Sequence, residues 1–146
     1  MRIAAEDYLE AARDRILDSH GLYKLGRHSY SLYTAGLAIE SMLRAYRVLK
    51  DPEFDERHDL QLLLAESAIE DFVTSVEYAE IAAQVSKMFK RWKNDFRFAS
   101  EDRLMRHLKK LRFDRGIRGS FIKENCRVMI EAADKILRLG VVRWPR

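Results

Sequence analysis

The sequence predicts an all-α protein, a four-helix bundle with two short accessory helices. Three observations carry that reading. Apolar residues recur at spacings of three and four along most of the chain, the period of helices with one buried face. No stretch shows the strict apolar–polar alternation of a half-buried strand. Two prolines and six glycines in 146 residues leave few breaks, and all but Gly36 fall between periodic stretches or at their ends. At this length the chain is read as a single domain, residues 1–146, able to bury about 68–70% of its unfolded surface.

The first helix is expected from about Ala4 to Ser19, on the stripe Tyr8, Leu9, Ala12, Ile16 and Leu17, with His20-Gly21 as its stop. Leu22 to His28 is a connection. The stretch Ser29–Lys50 then forms the spine of the protein. Leu32, Ala35, Gly36, Ile39, Met42, Leu43, Tyr46 and Leu49 give it one wide apolar face, and it halts before Asp51-Pro52. Gly36 lies mid-helix, where it costs about 1 kcal/mol relative to Ala, so a second backbone is expected to approach there. Glu40 is the polar exception on this face. It reads either as an exposed i,i+4 partner of Arg44 or as a partly buried carboxylate facing a base from another helix.

An acidic turn, DPEFDER, follows. His58-Asp59 opens a short third helix through LQLLLAESAIEDF, with Asp59 as N-cap. Thr74 and Glu77, three apart before an apolar run, read as a capping box. Tyr78, Ile81, Ala82, Val85, Phe89 and Trp92 continue that fourth helix to about Asn94. Ser100-Glu101-Asp102 caps a short fifth helix carrying Leu104, Met105, Leu108 and Leu111. FDRGIRGS is the longest flexible connection. The sixth helix runs from Ser120 to about Leu139 on Ile122, Cys126, Met129, Ala133, Ile136 and Leu137, with Gly140 as its stop. The apolar tail VVRWPR is expected to dock on the bundle or on a second subunit.

The pattern from Ala35 to Tyr46, AGLAIESMLRAY, followed by a short acidic loop and His58-Asp59-Leu60-Gln61-Leu62-Leu63, resembles the HEPN family of small helical-bundle proteins. Trp92 and Arg97-Phe98 resemble a Trp and an Arg-Tyr that follow in that family, so the resemblance spans roughly Leu32 to Phe98. It implies a four-helix bundle that often dimerises. It also implies one of three functions: metal-independent ribonuclease, inactive RNA- or nucleotide-binding relative, or partner of a nucleotidyltransferase.

Active members of that family carry an Arg, usually followed by a polar residue, and a His four to six residues further on. Here Arg91 is followed by Trp92, and Arg97 stands where the His would lie. Arginine cannot shuttle a proton near neutral pH, but it holds a phosphate in a bidentate pair. The candidates left for catalysis are His107 with Arg103, which have only three residues between them, and His58, which reads more readily as a histidine pinning its loop to the bundle. Arg13 and Arg15 before His20 sit on the wrong helix. With 18 Arg and four His, about 1.5 such spacings arise by chance, so that match decides nothing. No His follows a Glu by three residues, which argues against a di-metal bundle, and there is no phosphate-binding glycine loop. No metal or cofactor is therefore expected.

Charge supplies the remaining signal. Residues 1–86 hold 9 Lys/Arg against 16 Asp/Glu, a net of −7, whereas residues 87–123 hold 13 against 4, a net of +9. Such asymmetry points to an anionic partner, unless the basic stretch pairs with the acidic half of its own fold or of a second subunit. Lys90, Arg91, Lys93, Arg97, Arg106, Lys109 and Lys110, interleaved with Trp92, Phe96 and Phe98, suit single-stranded RNA or a nucleotide. Trp92 itself continues the core stripe of Val85 and Phe89 and is expected to be buried. The lone Cys126 excludes an intrachain disulfide and reads as an inert buried thiol. No apolar run approaches the roughly 20 residues of a membrane span, and the acid-rich N-terminus does not resemble a signal peptide. The expectation is a cytoplasmic homodimer that binds RNA or a nucleotide with little catalysis of its own. The alternatives are a toxin-like ribonuclease and a docking module for a nucleotidyltransferase.

Overall fold

The computed structural model describes residues 1–54 and 60–146, and these form six α-helices and two short 3-10 segments with no strand. The helices are α1 (Ala5–Lys24), α2 (His28–Lys50), α3 (Leu60–Glu66), α4 (Ser75–Phe89), α5 (Glu101–Lys110) and α6 (Phe121–Val142). The 3-10 segments are Ile69–Asp71 and Asn94–Phe98. His58, Asp59 and Asp55 lie outside the described residues.

The expected spine is the organising element. α2 packs against α1, α6, α3, α5 and both 3-10 segments, and α6 bridges onward to α1 and α4. Leu32, Ala35, Ala38, Ile39, Met42, Leu43, Ala45 and Tyr46 are all fully buried along it. A run of small residues lets α1 come close. Ser19 of α1 and Ser31 of α2 exchange hydrogen bonds there, each hydroxyl donating to the other's carbonyl at 2.7 and 2.6 Å. Buried polar groups that satisfy each other in this way fix the register of the pair.

Several boundaries differ from the sequence reading. α1 runs through His20-Gly21 and ends at Leu25-Gly26, where Gly26 adopts φ +76. Gly26 N–H donates to Tyr23 O and Arg27 N–H to Leu22 O, a Schellman motif whose left-handed residue favours glycine. α3 stops at Glu66 and does not reach Phe72. Ala68 is left-handed at φ 61, and the Ser67 hydroxyl donates to Leu64 O at 2.8 Å. Gly140 does not end α6. It faces the Met42 side chain, and its carbonyl accepts the Tyr46 hydroxyl at 2.6 Å, so that α2 and α6 approach closely. The tail docks as expected, Trp144 meeting the Tyr46 ring edge-on at 5.1 Å.

The capping box at Thr74 is present: Glu77 N–H donates to Thr74 Oγ1 at 3.1 Å, and Thr74 N–H donates to Glu77 Oε1 at 2.9 Å. α4 nevertheless ends at Phe89, five residues short of expectation. The reason lies across the molecule at Gly36. A Cβ on Gly36 would overlap the Trp92 indole, so the close approach at this glycine is by a side chain and not by a backbone. To seat that ring the chain leaves the helix, Arg91 N–H bonding to Met88 O in a tighter 3-10 turn.

Candidate nucleic-acid interface

The basic segment begins at this turn. Trp92 is 5% exposed, donates Nε1–H to Tyr33 O at 2.9 Å and stacks on the Tyr33 ring at 6.1 Å. It is a core anchor, as its place on the apolar stripe suggested. Arg91 beside it also turns inward. Its Nε donates to Asn125 Oδ1 at 2.9 Å, a second nitrogen donates to Lys87 O, and the guanidinium lies 3.8 Å from the Phe113 ring centre. Burial pulls its pKa below the usual arginine value, though an arginine remains charged. Arg91 thus ties the turn to α6.

With these two side chains fixed, the next ones point out. Lys93, Asn94 and Arg97 are exposed. Arg97 donates to Asn94 O at 3.0 Å and lies 4.6 Å from the Phe98 ring centre. The other two aromatics of the segment differ from each other. Phe96 is half-buried against His107, centroids 4.9 Å apart, whereas Phe98 is 79% exposed.

α5 supplies the second half of the surface. Ser100 caps it, its hydroxyl accepting from Arg103 N–H at 3.1 Å. Leu104 and Leu108 are buried, so helical spacing places Arg103, Arg106, Lys109 and Lys110 on the opposite, exposed side. The helix ends in a second Schellman motif, with Phe113 N–H bonded to Leu108 O and Arg112 N–H to Lys109 O. Its left-handed position, φ 66, is held by Arg112 and not by glycine. This sharp end sets Phe113 beneath Arg91.

His107 sits at the border of the two halves, with Nε2 3.2 Å from Lys90 O. A carbonyl accepts only, so Nε2 carries the proton, leaving Nδ1 without a partner among the described residues. His107 separates two clefts. One, of about 530 Å³, is walled by Phe89, Trp92 and Leu111 and rimmed by Lys90, Lys93 and Asn94. The other, of about 320 Å³, is lined by Phe96, Phe98, Arg103 and His107. Arg103 and His107, four apart on α5, therefore share one cleft. His58 falls outside the described residues. Glu40 lies apart from this surface. It pairs with Arg44 of its own helix at 3.0 Å, but both side chains are only about 15% exposed. Glu40 thus has the i,i+4 partner of one sequence reading and the partial burial of the other.

The ion pairs sort the charges. Arg2, Arg15, Arg44, Arg47 and Lys50 of the acidic half all meet carboxylates, as do Arg127 and Arg143 at the other end. Among the described residues, none of the 13 cations from Lys87 to Lys123 does. Among the described residues, then, no ion pair joins the basic stretch to the acidic half of the same fold.

The HEPN domain profile matches residues 5–144, nearly the whole chain. This protein belongs to the HEPN family. Neither a curated protein nor a solved structure gives a significant match. The HEPN match extends well beyond the Leu32–Phe98 stretch that carried the resemblance, taking in α1, α5 and α6 and with them half of the basic surface. No helix among the described residues is long and apolar enough to cross a membrane, and no group of side chains there is disposed to hold a metal.

Sequence reasoning missed Asn125. It is 2% exposed, accepts from Arg91 and donates to Phe113 O and Phe121 O at 3.0 and 2.8 Å. Its signal was present: an amide at a core position of α6 between Ile122 and Cys126 needs internal partners.

Proposed function

We propose that this HEPN protein binds RNA through the exposed face formed by Lys93, Arg97, Arg106, Lys109 and Lys110, with little catalysis of its own. The observation that carries the reading is the cluster of cations without ion pairs on a surface whose backbone is pinned by Trp92, Arg91 and Asn125. Unpaired cations on a fixed backbone suit a polyanion, because no ion pair has to break and no backbone has to be ordered on binding. Arg97, in place of the family His, contributes charge and not proton transfer.

The test is the salt dependence of binding to a labelled short RNA. Wild type should lose affinity steadily with salt, with a log–log slope of roughly −0.7 per phosphate neutralised, and Lys93→Ala should reduce the slope by about one such increment. No RNA binding at low salt, together with binding to poly-glutamate, would replace this reading with a docking module for an acidic partner such as a nucleotidyltransferase.

One observation favours a second reading. Arg103 and His107 line the same small cleft, and His107 Nδ1 is available to accept a proton. If wild type cleaves a labelled RNA without metal and His107→Ala does not, the protein is a ribonuclease with a rearranged site.

We also infer that the protein is a homodimer, paired through α1. Leu17 and Leu25 are 70% and 77% exposed, and Tyr30 beside them is 54% exposed, all lining one groove between α1 and α2. A second copy laid antiparallel with the two-fold axis at Leu17 brings Glu10 of each chain towards Lys24 of the other, since both lie seven residues from Leu17.

A further inference from the structure

Among the described residues, Phe98 is the one largely exposed aromatic ring on the cationic surface. Isolated exposed apolar residues are ordinary on protein surfaces, but three features set this one apart. Its backbone is held in place: the 3-10 segment is anchored by Phe96 against His107, and Ala99 N–H closes it onto Phe96 O at 3.0 Å. The Arg97 guanidinium lies over the ring at 4.6 Å, a cation–π contact that leaves the opposite face open. The ring also forms a wall of the cleft of about 320 Å³ that it shares with Arg103 and His107, at the small end of ligand-sized clefts.

We propose that Phe98 is a stacking platform for one unpaired base of the bound RNA, seated in this cleft beside His107 with its flanking phosphates towards Arg97 and Arg103. This rests on the RNA reading above and adds the class of strand recognised. Every base has a π-face, so stacking accepts any base but requires it to be unpaired. In an A-form duplex the bases are stacked on each other, and the deep, narrow major groove keeps side chains from them. The site therefore selects single-stranded RNA over duplex, and the preference resides in the ring, not in the cations.

The experiment compares wild type, Phe98→Ala and Phe98→Trp binding to a 12-nucleotide oligouridine and to a 12-base-pair RNA duplex across a salt series. Wild type should prefer the single strand. Phe98→Ala should lose about 5- to 150-fold on oligouridine, the usual effect of deleting one base–aromatic stack, with no change in salt slope and no loss on the duplex. Phe98→Trp should restore single-strand affinity. Because Phe98 is 79% exposed, neither substitution disturbs the core, and matching thermal melts would confirm it. Equal affinity of Phe98→Ala and wild type for oligouridine, or an equal loss on both RNAs, would overturn the stacking role while leaving the RNA reading in place. Absence of wild-type binding to either RNA at low salt would overturn both.

Discussion

Gly36→Ala should destabilise this protein, against the usual sense of that change. Replacing a mid-helix glycine by alanine normally gains about 1 kcal/mol. Here the new methyl would overlap the Trp92 indole, which is fixed by its bond to Tyr33 O at 2.9 Å and by stacking on Tyr33. Overpacking a filled core costs about 1–3 kcal/mol, and displacing the indole forfeits a buried hydrogen bond of about 1 kcal/mol. The balance is a net loss of about 2 kcal/mol, or a fall in Tm of roughly 6 °C for a chain of this size. Urea unfolding followed by tryptophan fluorescence measures it. In a Trp92→Leu background the ring is gone, so Gly36→Ala should turn neutral or stabilising, and the cycle should give a coupling energy above about 1 kcal/mol. RNA binding should weaken in Gly36→Ala, since Trp92 holds the turn that presents Lys93, Arg97 and Phe98. A Tm raised by Gly36→Ala in the wild-type background would refute the packing argument.

Arg112 occupies a left-handed position at φ 66, so Arg112→Gly should raise stability by about 0.5–1 kcal/mol once glycine's unfolded-state entropy is allowed for. A thermal melt showing a loss would mean the Arg112 side chain has a role of its own. Burial pushes the Tyr46 phenol up to about 12. Its contribution is therefore complete below pH 10 and lost as pH rises towards 12, about 2–3 kcal/mol in all. Chemical unfolding at pH 9 and pH 12 should show this drop in wild type and a smaller one in Tyr46→Phe. Burial likewise pushes the Cys126 thiol up to about 11, so native protein at pH 8 should resist a thiol-reactive disulfide reagent that labels the denatured chain fully. Light scattering at micromolar concentration should give twice the 17.2 kDa chain mass, falling to one chain mass in Leu17→Lys. Glu10→Lys should weaken the dimer, and Glu10→Lys with Lys24→Glu should restore it.

The fold was legible wherever burial alone dictates periodicity. α2 and α6 could be read because both keep one apolar face for about six turns, and the capping box at Thr74 because its chemistry is local. The ends were less legible, since competing signals sit side by side. Gly21 and Gly26 are both credible helix stops. Only the hydrogen bonds of Gly26 and Arg27 to the last turn of α1 decide between them. Trp92 follows Phe89 at helical spacing, yet it reaches its partner only by leaving the helix. Spacing reports that a residue is buried, not by which path its backbone arrives.

The site was legible as charge and not as geometry. A net of +9 over residues 87–123 is visible in the sequence, but Arg91 and Arg97 look equivalent there and are not. Arg91 faces Asn125, a residue 34 positions away on α6, and no local pattern encodes that meeting. The same contact explains how so basic a surface holds its shape. Thirteen cations against four acids repel one another, and without ion pairs the repulsion must be offset by structure elsewhere. Here that structure is beneath the surface: Trp92 on Gly36, Arg91 on Asn125 and Phe113, and Leu104 and Leu108 in the core. Neutralising the surface with a bound polyanion should therefore stabilise the fold, and that stabilisation should fade with salt at the same rate as the binding.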